Sequence, residues 1–211
     1  HWYPKNSWCE GTPPTPETTR ATPAELGIAM NDPTAQPARP SSHPMCGRYV
    51  LKRKDLEALM TQLGVQDPRD FVSRYNIAPS TVVPAIRVGR EIQAREAVGL
   101  QWGLVPFWAK DATSGARLAN ARAEGIAAKP SFREPFRKRR CVVPASGFYE
   151  WQTIGRQKFP WFFQHQDESP LALAGLWEHW HGPDGTGLET CSLITTTANA
   201  VVGTFHDRMP V

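Results

Sequence analysis

Four polar residues stand beside turn or strand-end residue types, where reactive side chains are usually held: Cys46 in MCGRY, Asn120 in LANARAE, Glu150 in GFYEW and His206 in FHDR. Cys46 is followed by Gly47, which lets a ligand approach closely, and by Arg48, whose guanidinium favours a thiolate and binds phosphate. The simpler alternative is a buried cysteine acting as a small hydrophobe. Glu150 is flanked by Phe148, Tyr149 and Trp151, so an inward-facing carboxylate would lose hydration and rise toward the range useful for proton transfer. Strand alternation equally permits it to face solvent. His206 needs little tuning to act as a general acid or base, or it could be structural. Asn120 could orient a ligand or a catalytic partner, or cap a helix that follows it.

Other groups suggest a polyanion. Trp102 and Trp108 in QWGLVPFW could present a stacking platform for bases or belong to the core. The run RKRR at 137–140, with Arg133 before it, could bind phosphates or be a solvated face. None of these groups is near the others in sequence, so a fold must bring them together.

Residues 1–44 of the 211 hold nine of the 20 prolines and six threonines, with scattered apolar side chains. Such a stretch cannot bury enough surface to offset its ordering entropy and reads as a disordered extension. It carries three basic and four acidic residues of the chain's 24 and 20, so the body holds the whole positive excess, 21 against 16. That balance is compatible with a polyanionic partner and common among enzymes. Residues 45–211 suffice for one domain. Leu56, Leu59, Met60 and Leu63 recur at helical spacing and predict a helix over 53–63. Runs at 81–88, 97–102, 141–144, 147–151, 159–163, 171–177 and 191–196 read as strands. Ile154–Arg156 and Pro183–Gly187 read as hairpin turns. A second helix is expected from Asn120, and a third near Thr197, whose hydroxyl would cap a run through Val202. The class is α+β: a single domain with a mostly antiparallel, curled, barrel-like sheet and a few flanking helices. No apolar run of about 18 residues exists, which argues against a spanning helix. The N-terminus lacks an apolar signal region, so a cytoplasmic setting is expected. Cys9, Cys46, Cys141 and Cys191 are too scattered to predict a disulfide framework or a zinc site.

The blocks MCGRY, RYNIAPS, QWGLVPFW, NAR, CVVPASGFYEW, a strand ending in ITT, and HDRMP occur in an order that resembles the SRAP family (SOS response-associated peptidase, or abasic site processing proteins) over 45–211. That resemblance implies an SRAP fold, truncated at its C-terminus, that binds single-stranded DNA and cross-links covalently to abasic sites in the DNA damage response. It implies no cofactor and no metal, a monomer, and a cytoplasmic protein that is nucleoid-associated when bound to DNA. Carried over by motif, the nucleophile falls on Cys46, with Asn120, Glu150 and His206 completing the catalytic set. The DNA-contacting positions fall on Gly47, Arg48, Asn76, Pro79, Trp108, Arg122, Thr195 and Arg208.

An abasic sugar's open-chain aldehyde forms a stable thiazolidine only with a residue offering an amine and a thiol two carbons apart, which is a cysteine at an N-terminus. Its α-amino group, with pKa about 7.8, is partly neutral near pH 7. Cys46 here follows Met45. Either Met45 is the start and is removed, or residues 1–44 are a dispensable extension cut off after translation. Two alternatives remain: a cysteine (auto)peptidase, hence a hydrolase, using Cys46, His206 and Asn120, and a non-catalytic single-stranded DNA-binding module.

Overall fold

The structure is a computed structural model; it describes residues 2–5, 47–66, 71–89 and 94–211. The described residues belong to one compact unit comprising His1–Asn6 and Pro44–Val211. In chain order its elements are β1 (Trp2–Lys5), β2 (Arg48–Leu51), α1 (Arg53–Leu63), β3 (Arg74–Ile77), β4 (Val82–Val88), β5 (Arg95–Trp102), β6 (Asn120–Arg122), α2 (Arg133–Lys138), β7 (Arg140–Ala145), β8 (Gly147–Ile154), β9 (Gln157–His165), β10 (Leu171–His181), β11 (Gly187–Thr197) and β12 (Arg208–Pro210).

Five strands close into a barrel in the order β10-β7-β4-β5-β11, with β11 pairing back onto β10. All barrel pairings are antiparallel except β11 against β5, where Thr190 lies beside Gln101 and Cys191 beside Trp102. Closure removes the open edges that a curled sheet would otherwise present. The alternating apolar residues of these strands, including Val83, Leu100, Trp102, Val143, Leu173 and Leu193, are almost wholly buried. Each such side chain contributes about 1.5–3 kcal/mol relative to exposure. Arg87 sits 4.1 Å over the Trp177 ring. Its guanidinium is ion-paired at 2.8 Å to both Glu96 and Glu189.

The second sheet runs β1-β9-β8-β2-β3 and is antiparallel throughout. Its inner face presents Tyr49, Leu51, Phe148 and Phe163 to the same core as the barrel. Tyr49 meets Trp102 edge-on at 5.4 Å. Gly147 opens β8 where a Cβ would sit 2.4 Å from the Phe162 ring and 2.5 Å from the Phe163 carbonyl. Only glycine fits there. The β8–β9 turn uses Gly155 at φ +61°, as a two-residue hairpin requires. α1 buries Leu56, Leu59 and Met60 against the core, and Ser73 Oγ accepts the Arg53 backbone N–H at 2.9 Å, satisfying an orphan donor of the first turn.

Three expectations are corrected. The helix expected from Asn120 is the strand β6, because the edge of β11 beyond β5 recruits it: Leu193, Ile194 and Thr195 pair in parallel with Asn120, Ala121 and Arg122. Tertiary pairing overrides the helical propensity of this alanine-containing run. Thr197 is not a helix cap but the last residue of β11. The turn that follows is a 3-10 segment, Val202–Thr204, capped by Asn199 Oδ1, which accepts the N–H groups of Val201 and Val202 at 3.0 Å. Finally, Trp2–Lys5 of the extension forms β1 on the edge of β9.

Candidate functional site

Alternation along β8 decides where Glu150 points. Phe148 and Glu150 share the inward face, and both are buried, Glu150 with 2 % of its surface exposed. Its cross-strand neighbour on β9 is Trp161. On its other side β2 begins at Arg48, which pairs with Tyr149, the residue before Glu150, and Gly47 immediately precedes that pair.

His206 reaches the same place by a different route. After β11 the Asn199-capped turn buries Val202 and presents Phe205, whose ring packs 4.4 Å from Trp161 and 5.5 Å from Phe163. Because Trp161 is the partner of Glu150, this aromatic contact delivers the adjoining histidine to the carboxylate: His206 Nδ1 lies 4.0 Å from Glu150 Oε2. The ring is largely shielded, and Asp207 Oδ1 lies 3.3 Å from the same nitrogen. Nδ1 also accepts the Arg208 backbone N–H at 3.1 Å. The Arg208 carbonyl oxygen lies 3.3 Å from the same nitrogen, so Nδ1 faces both a donor and acceptors, and the ring can take or give a proton there. An imidazole and a buried carboxylate thus stand side by side, a pairing suited to acid–base chemistry on one small group.

Asn120 opens β6 beside Leu193, and the carbonyl before it, Ala119 O, accepts both Leu193 N–H and Trp102 Nε1–H at 2.9 Å. Cys46 lies outside the described residues. The two cysteines among the described residues, Cys141 and Cys191, are free and buried. Burial pushes the Cys141 thiol up to about 12 and Cys191 well above the ordinary range, so neither serves as a nucleophile near neutral pH.

The expected DNA-contacting positions divide by exposure. Gly47 and Pro79 are half-buried, while Arg122 is exposed. Arg48 Nη1 donates to Asn76 Oδ1 at 2.7 Å across the β2–β3 pair, at the surface. Trp108 is 56 % exposed in the loop after β5, and beside it stands Phe107 at 60 %, an exposed aromatic the sequence reading passed over. Trp102, considered with Trp108 as a stacking platform, is instead a core residue with 1 % exposure. Thr195 and Arg208 are buried. Arg208 is occupied: its two terminal nitrogens fork onto Glu124 Oε1 and Oε2 at 2.8 Å each, and Nη2 donates to Thr195 O at 2.7 Å. The fork holds the Glu124 carboxyl down to about 2. Glu124 was missed; its only signal is its position two residues past Arg122 in NARAE. In the basic run, Arg137 and Lys138 are exposed and loosely paired with Glu134 at 3.6 Å, whereas Arg139 is committed to buried Glu178 at 2.7 Å.

A cleft of about 250 Å³ lies elsewhere, lined by Phe71, Arg74, Val83, Ala97 and their neighbours, and contains none of these groups. Among the described residues, no group of three or more His, Cys, Asp and Glu side chains is placed to hold a metal ion, and no helix is long and apolar enough to cross a membrane.

Residues 45–211 match the family model described as SOS response associated peptidase (SRAP). The chain is similar to "Abasic site processing protein YoqW" of Bacillus subtilis (strain 168), 38% identical over 172 residues that span 79% of this chain and 75% of that protein. It is also similar to "Abasic site processing protein HMCES" of Gallus gallus, 31% identical over 165 residues, spanning 64% of this chain and 49% of that one. A crystal structure of a protein from Bacteroides thetaiotaomicron superposes with a TM-score of 0.70 at 29% identity, covering 78% of this chain and 75% of the other.

Proposed function

This chain belongs to the SRAP family, and from that membership we propose that it captures abasic sites in single-stranded DNA as a covalent thiazolidine through Cys46. The observation that carries the acid–base part is the His206 Nδ1 to Glu150 Oε2 approach of 4.0 Å, with Gly47 directly preceding the Arg48–Tyr149 pair that joins β2 to β8. Cys46 is one peptide bond from Gly47, so its Cα lies about 3.8 Å from that of Gly47 by covalent geometry. The chemistry requires that residues before Cys46 be removed, by loss of Met45 as an initiator or by scission of the extension, because an amide nitrogen does not add to an aldehyde.

The steps balance without a co-reactant. The closed abasic sugar is a hemiacetal; His206 gives a proton to the ring oxygen while Glu150 takes one from the anomeric hydroxyl, and the aldehyde opens. Glu150 then returns its proton to His206, directly or through solvent, which resets both groups; the neutral Cys46 amine adds to the aldehyde carbon, forming the C–N bond, and its proton leaves to Glu150 as the oxygen gains one from His206. A second protonation expels that oxygen as water and leaves the Schiff base. The Cys46 thiolate then adds to the imine carbon, the C–S bond forms, the nitrogen is reprotonated, and the five-membered ring closes. The net change is loss of one water. The same residues run in reverse would release the aldehyde, the lyase-type direction.

Asn120 is assigned to hold the sugar or the cysteine. Arg48, Asn76 and Arg122 are assigned to the phosphates and Trp108 to base stacking, with Gly47 and Pro79 allowing close backbone approach; this gives salt-dependent binding with little sequence preference. Thr195 and Arg208 act from beneath this surface. A Cys-His-Asn peptidase would need Asn120 to orient the histidine. His206 Nδ1 faces the Arg208 N–H and carbonyl oxygen, Asp207 and Glu150, and a carboxylate beside the imidazole suits the proton transfers of the cross-linking reading.

The test is incubation of protein with a free Cys46 amine with a single-stranded oligonucleotide carrying one abasic site. A heat-stable shifted band, absent in Cys46→Ala, is expected. Loss of residues before Cys46 without DNA and with no shifted band would favour the peptidase, and reversible binding alone in both proteins would favour a simple single-strand binder.

A further inference from the structure

The basic run at 137–140 and the cations before it have no part in the chemistry above, and the fold separates them into two groups. Arg139 turns inward to Glu178 at 2.7 Å, while Lys129, Arg133 and Arg137 are exposed. These three stand four residues apart. Lys129 O accepts the Arg133 N–H at 2.9 Å, a helical i to i+4 bond that continues the winding of α2 back to Lys129. Their side chains therefore form one stripe, with about 6 Å between successive members along the axis from four steps of about 1.5 Å. The opposite side is fixed: Phe132 is buried with Leu104, Ala121, Ile126 and Leu176 in a small second core, and Phe136 packs against it. Among the described residues only Arg137 of the stripe meets a carboxylate, Glu134 at 3.6 Å, a solvent-exposed pair of the kind that contributes little. The stripe is thus held rigidly from behind and open in front.

Two connections join the stripe to the exposed aromatics. The first is the second core itself: Ala121 lies between Asn120 and Arg122 on β6, and Leu104 begins the loop that carries Phe107 and Trp108. The second is β10. Trp177 N–H donates to Arg139 O at 2.8 Å, and Trp180 Nε1–H donates to Ala109 O at 2.7 Å. The end of α2 and the loop after β5 thus hang from the same strand at points about 10 Å apart, three steps of strand rise. Within that loop Ala109 N–H donates to Pro106 O at 2.9 Å, which makes Phe107 and Trp108 the two corners of a turn. Both rings are more than half exposed, at 60 % and 56 %. A turn pinned at its base by buried Trp180 and displaying two aromatic rings loses little freedom when bases stack on it.

We propose that Lys129, Arg133 and Arg137, together with Phe107, form an outlying binding track for single-stranded nucleic acid. A strand that passes Arg122 engages the Phe107–Trp108 turn with its bases and the α2 stripe with its phosphates. The ligand this chemistry fits is a flexible polyanion with exposed base faces, which a single strand offers and a duplex does not. The proposal rests on the proposed reading of the site as one for single-stranded DNA, and it extends the bound length beyond the nucleotides at the site.

The experiment measures binding of the full chain to two undamaged single strands, about 5 and about 20 nucleotides long, by fluorescence anisotropy across a salt series. Neutralising the stripe, Lys129→Gln with Arg133→Gln and Arg137→Gln, is expected to weaken the long strand by about tenfold to a hundredfold at about 0.1 M salt. The slope of log affinity against log salt should fall in magnitude by about 2, three phosphate contacts at about 0.7 each, while the short strand changes by less than about twofold. Phe107→Ala is expected to weaken the long strand by about fivefold or more. A charge-matched control, Lys54→Gln with Arg156→Gln and Lys158→Gln, removes three exposed cations elsewhere and should leave the long strand within about threefold. Arg133→Lys with Arg137→Lys keeps the charges and should retain most of the affinity, which separates lost phosphate contact from a disturbed fold; thermal melting follows every variant. Unchanged long-strand affinity and salt slope in the neutralised protein would overturn the proposal. Equal losses in the two triple variants would reduce the effect to net charge and overturn it as well. The same holds for a loss seen only when a duplex flanks the single strand, or for a Phe107→Ala protein that binds the long strand as wild type does. Wild-type protein with a free Cys46 amine that shows these length effects and forms no cross-link would sink the proposed function while leaving the track standing.

Discussion

Phe205→Ala separates the packing argument from the chemical one. The ring lies 4.4 Å from Trp161 and 5.5 Å from Phe163, and it is the residue before His206. Truncation removes two aromatic contacts worth about 0.5–1.5 kcal/mol each beyond burial. A fully buried Phe→Ala costs about 3–5 kcal/mol, and discounting for the partial exposure of Phe205 gives about 2–3 kcal/mol. For a domain of this size each kcal/mol moves the melting temperature by about 2–4 °C, so the variant should melt about 5–10 °C lower. The functional effect should exceed what stability explains. Without the wedge against Trp161, His206 is no longer held against Glu150, and single-turnover cross-linking at a temperature where the variant is fully folded should fall by about tenfold or more. Affinity for undamaged single-stranded DNA, measured by fluorescence anisotropy, should stay within about twofold, because Arg48, Arg122 and Trp108 are untouched. Phe205→Leu should fall midway in both readouts. A drop in melting temperature of the stated size with an unaltered rate would refute the claim that this packing delivers the histidine; an unaltered melting temperature would refute the packing itself.

Trp108→Ala should lower affinity for undamaged single-stranded DNA by the loss of about 1–3 kcal/mol of stacking, with little change in melting temperature, since the side chain is 56 % exposed; equal affinity by anisotropy would remove Trp108 from the binding surface. Gly147→Ala forces a Cβ to within 2.4 Å of the Phe162 ring and 2.5 Å of the Phe163 carbonyl, so it should destabilise by roughly 1–3 kcal/mol or more and separate β8 from β9, seen as lost amide-exchange protection along β9. Glu124, with its carboxyl depressed from 4.5 to about 2, supplies stability that is present above the ordinary carboxylate range and lost as pH falls through about 2. The melting-temperature gap between wild type and Glu124→Gln should accordingly narrow between about pH 5 and pH 2, and a gap constant over that window would show that Arg208 does not hold the carboxylate.

Local periodicity makes much of this fold legible. The apolar face of α1, the strand runs and the Gly155 turn depend on neighbours a few residues away, and those signals survive folding intact. Barrel closure does not, because the β11–β5 and β11–β6 pairings join segments that carry no trace of one another. That is why Asn120 reads as the start of a helix until β11 claims it. Alternation tells that Phe148 and Glu150 share a face, but only packing against the barrel says that this face is the buried one. The motif QWGLVPFW contains two tryptophans of equal promise, and burial sends one to the core and one to the surface. Arg208 reads as a phosphate ligand from its charge and motif; Glu124, 84 residues away, turns it into part of a scaffold.

The central claim is that Cys46, with a free amine, captures an abasic aldehyde with loss of one water while Glu150 and His206 move the protons. Intact-mass analysis of the denatured reaction product tests it most directly, comparing protein that begins at Cys46 with the full chain on the same single-stranded abasic oligonucleotide. The account predicts an adduct of protein plus oligonucleotide less one water, formed only when Cys46 is N-terminal and slowed in Glu150→Gln and His206→Ala. An adduct formed equally well by the full chain with Cys46 internal and its N-terminal extension retained would contradict it.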